Sequence, residues 1–156
     1  MITIYFDLDG TLYDLYNIPN WLELLETENE NVFAIGDLLY NENNFNNIIF
    51  ALLEKNVVFG VITWLPKNAS ENYCAKCEEI KRNWCKNNLP FISHFTAQKY
   101  GTPKQNAIDK KTKQIILIDD NKEVCEKWNT AKQRKSYQIT NSNNVVDILR
   151  KIFDEI

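Results

Sequence analysis

Three short stretches of this chain are apolar almost without interruption. Ile2–Leu8, Val57–Thr63 and Ile115–Ile118 set β-branched and aromatic residues side by side, a pattern that suits strands covered on both faces. Phe91–Ala97 and Ser136–Thr140 are weaker strand candidates. Helices are predicted at Phe45–Lys55, Ser70–Asn87 and Asn121–Asn129. Asn144–Ile156 closes the chain, with Val145, Ile148, Leu149 and Ile152 at helical spacing. Pro103 reads as the first-turn proline of a short helix running to Asp109. Alternating strands and helices predict an α/β fold, a Rossmann-like three-layer sandwich with a mostly parallel central sheet.

Length fits that picture: 156 residues supply one core and one domain, spanning 1–156, with no internal repeat and no linker. No apolar run approaches the roughly 18 residues a membrane span requires. Met1–Phe6 has neither a basic leader nor a long apolar segment, so no membrane and a cytoplasmic location are the expectations. A net charge of −3 argues mildly against a non-specific nucleic-acid binder. The abundant asparagine reads as compositional bias without mechanism. Cys74-x-x-Cys77 invites a zinc or redox reading. With Cys85, however, both fall in one sector of a predicted helix, which assigns them to core packing as small hydrophobes.

In parallel sheets, ligands bind beyond the carboxyl ends of the strands, so the residues ending each strand matter most. The first apolar run ends in Asp7-Leu8-Asp9-Gly10-Thr11, the second in Thr63, the third in Asp119-Asp120. Singly, each has a structural explanation: Asp-Gly makes turns, and paired aspartates favour a helix N-terminus. Together they bring four carboxylates and a hydroxyl to one sheet edge. Carboxylates at close range repel, and a hard cation such as Mg²⁺ resolves the conflict.

Phe6-Asp7-Leu8-Asp9-Gly10-Thr11-Leu12 resembles the first signature of the haloacid-dehalogenase-like phosphohydrolases. Val61-Ile62-Thr63 is similar to their second motif, Lys104 to the third, and Ile116-Leu117-Ile118-Asp119-Asp120 to the fourth. Asp14-Leu15-Tyr16, Asn20-Trp21-Leu22 and Tyr100-Gly101-Thr102-Pro103-Lys104 look like a group of small bacterial and phage members. The resemblance implies a Mg²⁺-dependent phosphomonoester hydrolase. Asp7 would be the nucleophile that forms an aspartyl-phosphate, and Asp9 the general acid and base. Mg²⁺ would be held by Asp7, the backbone carbonyl of Asp9, and Asp119, with Asp120 supporting it directly or through water. Thr63 and Lys104 would bind the phosphoryl oxygens. Lys99 competes for the lysine role, but Lys104 follows Pro103 in a helix first turn, where an anion is favoured.

The interval from Asp7 to Thr63 is too short for a large helical cap, so 13–44 is predicted to form a rudimentary cap: a flap and two short helices. An open or lightly covered site follows. Tyr13, Tyr16, Trp21 and Trp64 lie near its mouth, able to stack on a base or sugar, although Trp21 also suits an anchor between cap and core. The single histidine, His94, is placed mid-strand away from the chemistry. Lys110-Lys111-Thr112-Lys113 and Lys132-Gln133-Arg134-Lys135 offer contacts to phosphates, against the plain reading of solvated loops. A phosphorylated small molecule, with a nucleotide or nucleic-acid end leading, is the expected partner. The alternatives are a silent binding module of the same fold and a phosphotransferase using the same aspartyl-phosphate.

Overall fold

The computed structural model describes residues 2–108 and 113–156. Expectations placed on Asp109, Lys110, Lys111 and Thr112 lie outside the described residues. Five strands, β1 (Ile2–Phe6), β2 (Val57–Trp64), β3 (His94–Gln98), β4 (Gln114–Asp119) and β5 (Arg134–Gln138), form one sheet in the order β3-β2-β1-β4-β5. Every neighbouring pair is parallel. Helices α1 (Trp21–Glu26), α2 (Glu42–Glu54), α3 (Glu71–Asn88), α4 (Lys122–Trp128) and α5 (Val145–Glu155) flank it, with 3-10 turns at Glu30–Phe33 and Lys104–Ala107. The fold is the expected α/β class, an all-parallel sheet between helices.

The three strongly apolar runs become the three inner strands, β2, β1 and β4, and their side chains alternate between two cores. Ile4, Phe6, Phe59, Val61, Ile116 and Ile118 pack with Phe45 and Ile49 of α2, Cys77 and Cys85 of α3, and Leu149 and Ile152 of α5. Tyr5, Ile62, Ile115 and Leu117 face Val124 and Trp128 of α4. Double coverage explains why these strands lack alternation. The weak candidates are the two edges, β3 and β5, shifted from their predicted bounds. Phe91 is apolar because its ring packs on Phe59 and Phe45 at centroid distances of 5.3 and 6.0 Å, and it precedes β3. His94 therefore opens β3 rather than sitting inside it, exposed and away from the carboxyl ends of the strands.

Several asparagines have structural work here. Asn41, Asn121 and Asn144 cap α2, α4 and α5 by accepting backbone N–H groups, and Asn144 forms a capping box with Asp147. Asn20, Asn56 and Asn68 take left-handed backbone conformations, which asparagine tolerates better than most residues. The four cysteines are free, with Cys77, Cys85 and Cys125 buried and Cys74 half-buried. No helix among the described residues is long and apolar enough to cross a membrane.

Before α2 begins, the 13–44 segment forms two short helical elements, α1 and the 3-10 turn Glu30–Phe33, and it is tied down. Tyr13 is the main tie, overturning its placement at the mouth. It is buried, donates to Val32 O at 2.8 Å, accepts from Gly36 N at 2.6 Å and meets Trp84 edge-on. Glu28 clamps the start of α3 by accepting from Ser70 N and Ser70 Oγ, each at 2.7 Å.

Candidate functional site

The parallel register determines which strand ends meet. Phe6 pairs with Ile118, so Asp7 and Asp119 follow on adjacent strands, and Asp7 N donates to Ile118 O at 2.9 Å. Thr63 lies at the same edge of β2 and is fully buried. After Asp7 the chain turns tightly: Leu8 O accepts from Leu12 N and Tyr13 N, both at 2.9 Å. Gly10 makes this turn possible. Its φ is +79°, and a Cβ there would lie 2.5 Å from Asp120 Oδ2 and 2.5 Å from Tyr16 Cε2, so only glycine fits.

Asp7, Asp119 and Asp120 each offer a carboxylate oxygen within 4.8 Å of the others. Lys104 Nζ bridges two of them, donating to Asp7 Oδ1 at 2.5 Å and Asp119 Oδ2 at 2.7 Å. Burial works against this ammonium, but the charges of Asp7 and Asp119 outweigh it and hold its pKa above the ordinary lysine value. Lys99 is exposed. The helix expected after Pro103 is a four-residue 3-10 turn, too short for a useful dipole, so Lys104 acts through its ammonium alone.

Asp9 is drawn to a different lysine, one that motif reasoning missed. Lys81, 1% exposed, forms an ion pair with Asp9 Oδ2 and donates to Thr63 Oγ1 at 3.1 Å and Trp64 O at 2.8 Å. A lysine on a helix as charged as α3 reads as solvated. The available signal was its spacing, four residues from both Cys77 and Cys85 on the buried stripe.

Crowding of like charges marks the electrostatics. Burial, then the neighbouring charge of Asp7, pushes the Asp119 carboxyl up to about 6. The same two causes, joined by Asp119, push Asp120 up to about 7. Burial also raises Asp9, partly offset by Lys81. A raised carboxyl pKa means that the folded protein holds the proton more tightly than the unfolded chain. This contribution to stability is therefore present at low pH and lost as pH rises through about 6 and 7. In a chelating buffer, melting temperature is expected to fall between pH 5 and pH 8, and Asp120→Asn to melt higher than the native chain at pH 8. Equal melting of the two proteins at pH 8 would remove the repulsion from this account.

These groups line a cleft of about 280 Å³. The 13–44 segment forms one wall through Tyr16, Trp21, Leu22 and Phe33. Tyr16 and Trp21 meet edge-on at 5.1 Å; Trp64 and Tyr100 meet at 5.0 Å. Trp64 Nε1 is fixed by Thr102 O at 2.8 Å, and its ring lies 5.4 Å from Lys104 Nζ. Of the second basic run, Arg134 and Lys135 begin the edge strand β5, where Lys135 pairs with Glu155 at 2.7 Å. The structure thus gathers Asp7, Asp9, Thr63, Lys104, Asp119 and Asp120, adds Lys81, and leaves out Tyr13, His94 and Lys99. No protein-family model matches the chain, and no curated protein matches it.

Proposed function

We propose that this chain is a Mg²⁺-dependent phosphomonoester hydrolase of the haloacid-dehalogenase-like type, working through an aspartyl-phosphate on Asp7. The observation that carries the reading is the convergence of Asp7, Asp119 and Asp120 within 4.8 Å, with Lys104 shared between two of them. Four carboxylates face two buried ammoniums, Lys81 and Lys104, leaving two negative charges when all are ionised. One divalent cation balances that excess. The donors are all oxygen, which suits Mg²⁺. Asp7, Asp119 and the backbone carbonyl of Asp9 would hold it, with Asp120 directly or through water. Bound there, it would neutralise charge on the phosphoryl oxygens.

The chain's own residues supply the remaining steps. Asp7 attacks phosphorus, splitting one difficult displacement into two easier ones. Asp9 gives a proton to the departing alkoxide and then takes one from the attacking water. Lys104 and the Thr63 hydroxyl stabilise the phosphoryl charge. The test is phosphate release from monoesters in Mg²⁺, set against Asp7→Asn and against chelator. Release that persists in either control refutes the mechanism.

Aromatic rings on both sides of the cleft, Tyr16 with Trp21 and Trp64 with Tyr100, favour a flat leaving group and thus a nucleotide or a nucleic-acid end. Tyr100 is the cleanest probe, because Trp64 also lies beside Lys104. Tyr100→Ala is expected to raise KM for a nucleoside monophosphate about 5- to 10-fold, within the ~1–3 kcal/mol of a base–aromatic stack. KM for glycerol phosphate should not move. An equal change for both esters would exclude stacking.

A further inference from the structure

Lys81 belongs to none of the motifs that carry the phosphatase reading, yet only Thr63 and Asp119 at the site are more deeply buried. Helix α3 drives its stem between Cys77 and Cys85, into the core stripe. A buried ammonium is costly unless every proton finds an acceptor. Lys81 meets that condition: its three N–H groups match three acceptors, Asp9 Oδ2, Thr63 Oγ1 and Trp64 O. The Phe33 ring of the cap segment lies 4.5 Å from Nζ. With its donors committed to the protein, Lys81 is not arranged to grip a substrate phosphate.

An ammonium donates and never accepts, so each bond also dictates what its partner does. Thr63 Oγ1 accepts from Lys81. Its own proton has only a marginal 3.5 Å alternative at Trp64 O, an oxygen already taken by Lys81, and so it remains available to an incoming anion. Asp9 Oδ2 is occupied, whereas Asp9 Oδ1 is buried with no hydrogen-bond partner among the described residues.

We propose that Lys81 is a positioning residue that reserves Asp9 Oδ1 for proton transfer and turns the Thr63 hydroxyl toward the phosphoryl group. This rests on the phosphatase reading and extends it. In the first half-reaction a proton leaves Asp9 Oδ1 for the leaving-group oxygen. The bond from phosphorus to that oxygen breaks while one to Asp7 forms. In the second, water attacks phosphorus and returns a proton to Asp9 Oδ1 as the bond to Asp7 breaks. Lys81 takes no part in either proton transfer.

The dependence on leaving group separates this role from simple support of the fold. A para-nitrophenolate leaves without needing a proton, whereas an alkoxide does not. Lys81→Met and Lys81→Gln are compared with the native chain on para-nitrophenyl phosphate and glycerol phosphate in Mg²⁺, alongside thermal melts. For Lys81→Met, kcat/KM on the alkyl ester should fall at least about 10-fold further than on the aryl ester, since general acid catalysis supplies ~10²–10⁴. KM for the alkyl ester should change little. Acid quenching of the aryl reaction should trap more phosphorylated protein, because its hydrolysis still needs the base. Lys81→Gln fills similar volume, keeps an N–H for Asp9, and should recover part of the alkyl-ester rate. It also serves as the test if the Met variant does not fold. On the alkyl ester, Lys81→Met combined with Asp9→Asn should lose less than the product of the two single losses, because only the part of the role that acts through Thr63 is left to remove. Equal losses on both esters, or multiplying losses in the double variant, overturn the role of Lys81 while leaving the phosphatase standing. A native chain that hydrolyses neither ester overturns both.

Discussion

Asp7→Asn is expected to abolish turnover, by about 10³-fold or more, as removal of a nucleophile does elsewhere. The amide has the shape of the carboxylate, and its oxygen can still accept from Lys104, whose Nζ lies 2.5 Å from Asp7 Oδ1. The fold should survive. Stability should even rise at neutral pH in chelator, because the charge of Asp7 is among the causes that push Asp119 and Asp120 upward. Loss of activity with an unchanged or higher melting temperature therefore separates a chemical role from a structural one. Steady-state phosphate release and a thermal melt on one preparation check both halves. Retention of activity within about 10-fold would rule out covalent catalysis at this position.

Lys104→Ala is expected to damage both rate and stability. Lys104 is 3% exposed and serves two carboxylates. Its removal leaves like charges facing each other without a counterion, and breaking a buried pair this way costs about 3–5 kcal/mol. Added Mg²⁺ should recover part of that loss, since a divalent ion replaces the missing positive charge. The rate should not recover: a lost transition-state donor lowers kcat by ~10²–10³, and phosphate should bind more weakly. Lys99→Ala is the control, an exposed position whose loss should stay within about 0.5 kcal/mol. If Lys99→Ala proved harmful and Lys104→Ala neutral, the third motif would have been assigned to the wrong lysine.

The contrast between these lysines shows what a single chain discloses. Lys104 was legible because it follows Pro103 in a recognisable motif, although the helix expected to support it is only a short turn. Lys81 was hidden. It sits on a helix rich in charge, where a lysine ordinarily meets water, and its burial follows from what packs on α3. Tyr13 misled in the opposite direction: close to the Asp7 turn in sequence, it points into the core to hold the cap segment. Edge strands were displaced for a similar reason. Phe91 owes its apolar character to ring contacts before β3. Arg134 and Lys135 begin β5 despite their charge, because an edge strand lets long side chains reach solvent and Glu155.

From the amino-acid order alone came the inner strands, most of the helices, and the placing of Asp7, Thr63 and Asp119 at strand ends. Burial on both faces and helical periodicity are local properties, written in neighbouring residues. Tertiary structure alone decided which lysine pairs with which carboxylate. Lys104 and Asp7 are 97 positions apart, and Lys81 and Asp9 are 72. Such pairs form only when parallel strands set their register and a helix turns one face inward. The electrostatics of a buried cluster depend on that distance geometry, to which no local pattern responds.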